Sequence, residues 1–170
     1  MKRLLILFAA AMAFIFCATV SSDEAKEDKG AAHEYVGVKK CKMCHKKDGI
    51  HESWLATKHA TAWDSLSAED QKNKALAPFY TTGTTAKDVL LTGVQCEACH
   101  GAGSDYKKKT VMKDRDKAVA AGLIIPDSTS CMVCHNEKAP GVLGTTAKDF
   151  NFEKMKLTGI HADMKKPEGK

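Results

Sequence analysis

Residues 91–103 read LTGVQCEACHGAG, and the frame at their centre, Cys96-Glu97-Ala98-Cys99-His100, decides how the chain is read. The same frame returns twice, as CKMCH over residues 41–45 and as CMVCH over residues 131–135. Six of the seven cysteines, namely Cys41, Cys44, Cys96, Cys99, Cys131 and Cys134, belong to these copies. The seventh, Cys17, falls in an apolar N-terminal run, so no cysteine is left for a structural disulfide. Disulfide pairing would explain neither the two-residue gap nor the histidine that closes each frame. Zinc sites of four thiolates do not divide evenly among three pairs and leave the histidines without a task. A thioredoxin-like redox motif occurs once, beside a βαβ pattern. Covalent attachment of c-type haem uses every residue: two thioethers, and the adjacent histidine as proximal iron ligand. The sequence therefore predicts three covalently attached c-type haems, with His45, His100 and His135 on the proximal side.

The remainder of the chain fits an exported cofactor protein. Lys2 and Arg3 precede an apolar run from Leu4 to about Val20, and polar sequence starts at Ser21, the layout of a secretory signal peptide over residues 1–22. The run lies near the lower limit for spanning a bilayer, and Val20-Ser21-Ser22 offers a cleavage frame. A lipoprotein reading through Cys17 fails because Phe14, Ile15 and Phe16 precede it rather than small residues. The expected organisation is a flexible linker at 23–35, a trihaem cytochrome c domain at 36–164, and a disordered tail at 165–170. Periplasmic, bacterial localisation follows, with no membrane insertion after cleavage. The formal net charge is +5, of which Lys2 and Arg3 supply two, and haem propionates bring the mature chain toward neutrality. A basic composition therefore does not call for nucleic acid, and no nucleic-acid-binding motif is present. The lysines are read as partners for propionates and as docking patches for redox proteins.

Periodicity predicts a mainly α fold of short helices and long loops wrapped around three haems, with little or no sheet. Ile50, Trp54, Leu55, Ala62 and Leu66 give helical spacing over 50–66. Ser67 and Asp70 read as a capping pair for a short helix ending before Pro78. FYTTGTTAKDV (79–89) reads as loop, a helix is expected over Asp114 to Ala121 and stopped by Gly122, and a final helix lies within 147–164. Aromatic residues make up only 6% of the chain, so a conventional core would be thin and the macrocycles are expected to serve as core.

Axial ligands can be counted. Seven histidines less the three proximal ones leave His33, His51, His59 and His161 for the distal positions. His59, framed by Trp54, Thr57 and Ala60, and His161, in the C-terminal segment, are the leading candidates. His51 follows, eight residues before His59 on one helical face, and His33 sits in the linker. Met112 and Met155 are possible thioether ligands. The expectation is mostly bis-His, low-spin haems.

These residues resemble the multihaem c cytochromes typified by the tetrahaem protein that accepts electrons from hydroxylamine oxidoreductase. The likeness runs from Gly37 onward: GVKKCKMCH at the first site, SWLATKHA at a distal-histidine segment, LTGVQCEACHGAG over its full length, and FNFEKM followed by His161. It implies a mainly helical fold with closely stacked haems and a role in periplasmic electron transfer. Two departures stand out. The family's second attachment site, which would fall between Leu66 and Leu91, is missing. The family also places a distal histidine shortly after the CHGAG segment, whereas here that stretch reads SDYKKKTVMK and holds none. Either His51 or His33 substitutes, or Met112 does, or one iron is open.

The expected function is an electron carrier between a redox donor and a redox acceptor, of open oligomeric state. An alternative is a reductase of nitrite, nitric oxide, hydroxylamine or peroxide at a five-coordinate haem, with His51, Tyr106 and Lys107 to Lys109 available nearby. A third is a subunit of a larger respiratory complex or extracellular conduit.

Overall fold

The computed structural model describes residues 33–139, 150–158 and 161. The expected signal peptide, most of the linker, and the tail lie outside the described residues. Helix and loop predominate, as expected, with one small sheet. The order is α1 (Val38–His45), α2 (Ile50–Leu55), a 3₁₀ turn (Asp70–Lys72), α3 (Ala77–Tyr80), β1 (Thr81–Thr84) and β2 (Leu90–Thr92). Then follow α4 (Cys96–His100), α5 (Lys109–Met112), α6 (Arg115–Ala120), α7 (Ser128–Met132) and α8 (Phe152–Thr158).

Several boundaries follow the local chemistry. Asp114 caps α6 by accepting from the Lys117 amide at 3.1 Å, and Gly122 ends it with φ 94°. Asp127 opens α7 with a reciprocal capping box to Ser130. Ser67 and Asp70 pair as read, the Ser67 hydroxyl donating to Asp70 Oδ2 at 2.8 Å, but they nucleate only the 3₁₀ turn. Pro78 does not mark a stop. It lies in the first turn of α3, where its missing N–H costs nothing.

Two stretches depart from the sequence reading. The helix expected over 50–66 is realised only as α2, and residues 56–66 form successive turns. Thr57 donates its hydroxyl to the Trp54 carbonyl at 2.7 Å, an acceptor that a continuing helix would need. Beyond it, the His59 carbonyl accepts from the Val94 amide at 3.1 Å, so tertiary pairing draws this backbone off the helical path. Gly93 permits that approach, since a Cβ there would stand 3.0 Å from the Ala60 carbonyl oxygen.

The second departure is 79–89, read as loop, which supplies the end of α3 and one strand of an antiparallel hairpin. Its register pairs Thr81 with Thr92, Gly83 with Leu91 and Thr84 with Leu90, leaving Thr82 as the extra residue of a bulge. The bulge turns Thr82 inward, where its hydroxyl donates to the Gly93 carbonyl at 3.0 Å and accepts from the Gln95 amide at 2.7 Å. The hairpin is thereby tied to the start of α4.

Apolar packing is sparse. Among the described residues only Trp54, Tyr80, Leu91, Tyr106 and Ala118 are buried hydrophobics. Met43, Val133, Ile124 and Ile125 remain exposed beside the attachment frames. No helix among the described residues is long and apolar enough to cross a membrane.

Candidate functional site

Each frame forms a single helical turn, and that explains its spacing. Residues three and four apart share one helix face, so two cysteines and a histidine in the pattern Cys-x-x-Cys-His point the same way. In the third frame α7 ends at Met132, and the turn continues through bonds from Cys134 N and His135 N to the Cys131 carbonyl at 3.2 and 2.9 Å. All six cysteines are free.

The first and second frames are braced together. The amides that open α1 have no cap from their own segment, and α4 supplies one instead. Gln95 Oε1 accepts from Val38 N at 2.7 Å, and the Glu97 carboxylate accepts from Gly37 N at 2.7 Å and Val36 N at 3.0 Å. Glu97 also accepts from Gly103 N at 2.7 Å and is only 1% exposed. Gly103 leaves room for that bond, since a Cβ there would stand 3.0 Å from Glu97 Oε1. The neighbouring Cys96 thiol, and then burial, push the Cys41 thiol well above its ordinary value. Burial, followed by the nearby Cys131 and Cys134, pushes Cys99 up to about 11. The second frame thus stands within reach of both the others.

The histidines are held by their Nδ1 atoms. His100 Nδ1 lies 3.1 Å from the Ile124 carbonyl, which can only accept, so this nitrogen carries the proton and Nε2 keeps its lone pair. His45 Nδ1 lies 2.9 Å from Asp48 Oδ2, with the same consequence. Ser53 spends its hydroxyl proton on the Ile50 carbonyl at 2.9 Å, so His161 Nδ1, 2.5 Å from Ser53 Oγ, must be the donor in that contact. This is how metal-ligating imidazoles are commonly oriented. Burial, and then the neighbouring His100 and His45, hold His161 below the ordinary imidazole value. His100 is lowered mainly by burial.

His59 and His135 face each other. Their ring centroids are 6.1 Å apart and their planes cross at 78°. Burial and then His135 lower His59, which keeps the ring neutral and able to donate electrons. His135 also stacks on Phe150, centroids 4.8 Å apart at 14°.

The other candidates are placed elsewhere. His33 donates through Nδ1 to Asp105 Oδ2 at 2.6 Å, and its ring lies against Gly122, where a Cβ would meet Nε2 at 2.8 Å. His51 is 6% exposed on α2, its ring 5.7 Å from that of Trp54, and its buried Nδ1 makes no hydrogen bond. Met155 lies on α8 and is 39% exposed. Met112, at the end of α5, lines a cavity of about 200 Å³ with Cys41, Cys44, His45, Tyr106 and lysines of both segments.

Among the described residues no three His, Cys, Asp or Glu side chains converge into a closed metal cage. Paired thiols with singly presented imidazoles fit a group that brings its own equatorial nitrogens and asks the protein only for axial ligands and thioethers. Sequence reasoning missed Gln95, Glu97, Asp48 and Ser53 as supports of this arrangement. Asp48, three residues after His45, was the one with a readable signal. The others act across the fold.

Comparison with known proteins agrees. Residues 16–168 match the family described as outer membrane cytochrome MtrC/MtrF-like, domains II/IV. Cytochrome c-554 of Nitrosomonas europaea is 30% identical over 139 aligned residues, covering 59% of this chain and 57% of that protein. The chain therefore spans under two thirds of that relative's length. The structure of the reduced state of cytochrome c554 from Nitrosomonas europaea superposes with a TM-score of 0.55 at 25% identity, covering 74% of this chain and 82% of the other.

Proposed function

Because the chain belongs to the multihaem c-type cytochromes, in the family of outer membrane cytochrome MtrC/MtrF-like domains II/IV, we propose that it is an exported trihaem electron carrier. Haems are attached through Cys41 and Cys44, Cys96 and Cys99, and Cys131 and Cys134, with His45, His100 and His135 as proximal ligands. His59 would complete the coordination of the haem held by His135, and His161, beside His100, would complete that of the second. Bound haem supplies one-electron redox chemistry, and the chain fixes ligation, burial and spacing, which set the potentials.

The observation that carries this reading is the His59–His135 pair. An imidazole nitrogen sits about 2 Å from a metal and about 1 Å from its ring centre, so two imidazoles on opposite sides of one iron have centroids about 6 Å apart. The 6.1 Å separation matches that arrangement. The shortage of buried apolar side chains supports it as well, since the described residues need a further apolar body to pack on. Mass measurement and paramagnetic resonance of the purified protein test the proposal. Three covalent haems, with at least the second and third low-spin, are expected. A predominantly high-spin ferric population would refute the carrier.

A second reading, small-molecule reduction at an open iron, is favoured by one observation. The cavity beside His45 contains no second histidine. Carbon monoxide binding to the reduced protein separates the two.

A further inference from the structure

The first frame poses the question that the other two do not. His59 is engaged with His135, His161 is seated on Ser53, and neither lines the cavity beside Cys41, Cys44 and His45. His33 and His51 do not line it either. The wall opposite the frame comes from the segment after CHGAG, Tyr106 to Lys113. Its donors can be taken in turn. Lysine ammonium groups have no lone pair to offer. The Tyr106 hydroxyl is engaged elsewhere, donating to the Gly101 carbonyl at 2.6 Å. What remains is the thioether of Met112, a soft, uncharged donor on a flexible side chain.

We propose that Met112 is the distal ligand of the first haem, giving a His45/Met112 pair beside two bis-histidine haems. This deepens the carrier reading and rests on it only to the extent that haem is attached at Cys41 and Cys44. Several structural features converge on it. Met112 ends α5, where its amide bonds the Lys108 carbonyl at 2.9 Å, so the backbone that presents it is ordered by its own turn. The side chain is half-buried toward the cavity rather than displayed to solvent, unlike Met43 at 74% exposure. The imidazole on the other side is anchored through Asp48, leaving Nε2 for iron. The chemical consequence is asymmetry. Methionine opposite histidine raises a haem's reduction potential relative to two histidines, so the first haem becomes the member most easily reduced.

The test uses the complete holoprotein and two variants, Met112→Ala and Met112→His. The native ferric protein is expected to show the weak long-wavelength absorption of thioether-ligated iron, and the reduced protein is expected not to bind carbon monoxide. Met112→Ala should lose that band, convert one haem of three to high spin, and gain carbon monoxide binding. Met112→His should lose the band, stay low-spin, and lower one midpoint potential while leaving the other two in place. Should Met112→Ala fail to accumulate, Met112→Leu keeps the volume and removes the donor. A native protein that already has one high-spin, carbon monoxide-reactive haem overturns the assignment, and so does a Met112→Ala or Met112→Leu spectrum identical to the native one. Either result leaves the carrier standing, because that reading depends on the second and third haems.

Discussion

Glu97 is the residue on which two frames depend. Its carboxylate takes up amides from Val36, Gly37 and Gly103, bonds that span 61 and 60 residues of chain in the first two cases. A buried donor left without its partner costs about 1–3 kcal/mol, so Glu97→Ala, which strands three, should destabilise the holoprotein by about 3–5 kcal/mol. Urea unfolding measures this, and a change below about 1 kcal/mol would show that the amides find other acceptors. The three frames themselves were legible from spacing alone. Glu97 was not, because an acidic residue between two cysteines looks like any solvated side chain until the fold brings the start of α1 over it. The same holds for Ser53 and His161, whose contact joins segments with no local relation in sequence.

At the scale of elements, legibility followed locality. The helix over 114–121 and its stop at Gly122 are set by neighbours within three or four residues, and the structure has them as α6, with Asp114 as its cap and Gly122 at φ 94°. The tract after α2 and the hairpin are decided by distant backbone, namely Val94 against His59 and Thr82 against Gln95, which no helical or alternating pattern can announce. Trp54 marks the junction. It is 7% exposed and donates its indole N–H to the Val94 carbonyl at 2.9 Å. Trp54→Ala should cost about 3–5 kcal/mol. Trp54→Phe, which keeps the ring and drops the donor, should cost distinctly less by the same unfolding measurement.

Asp127 gives α7 a pH dependence. The Thr129 hydroxyl, followed by the Ser130 amide, lowers its carboxyl below the ordinary range. A depressed folded value means that the cap is at full strength above the unfolded pKa of about 3.9 and weakens as pH falls through the folded one. Melting temperatures of the native protein and Asp127→Asn should therefore differ most at neutral pH and converge below about pH 4. Divergence on acidification would reverse the sign and refute the argument.

For the molecule as a whole, charge is distributed unevenly. Lys39, Lys40, Lys42, Lys46 and Lys47 are exposed around the first frame, and among the described residues none of them is in an ion pair. Met43 stands in their midst at 74% exposure. A small apolar patch within a basic rim suits an acidic redox partner, and surface charge of this kind acts through the rate of encounter. The second-order rate of electron exchange with an acidic redox protein should fall by about tenfold as the Debye length shrinks from about 30 Å to about 8 Å. Lys40→Glu combined with Lys47→Glu should flatten that dependence, and stopped-flow kinetics at graded salt would show it. An unchanged salt slope would move the contact to another face.

The neighbouring thiols of Cys41 and Cys96 carry one more consequence, and it concerns biogenesis. They come from different attachment motifs, yet the folded backbone sets them side by side. In an oxidising compartment such neighbours are prone to close a cross-link that spans two motifs and blocks both. Were the chain matured in such a compartment, keeping these thiols reduced until each motif is alkylated would protect both sites.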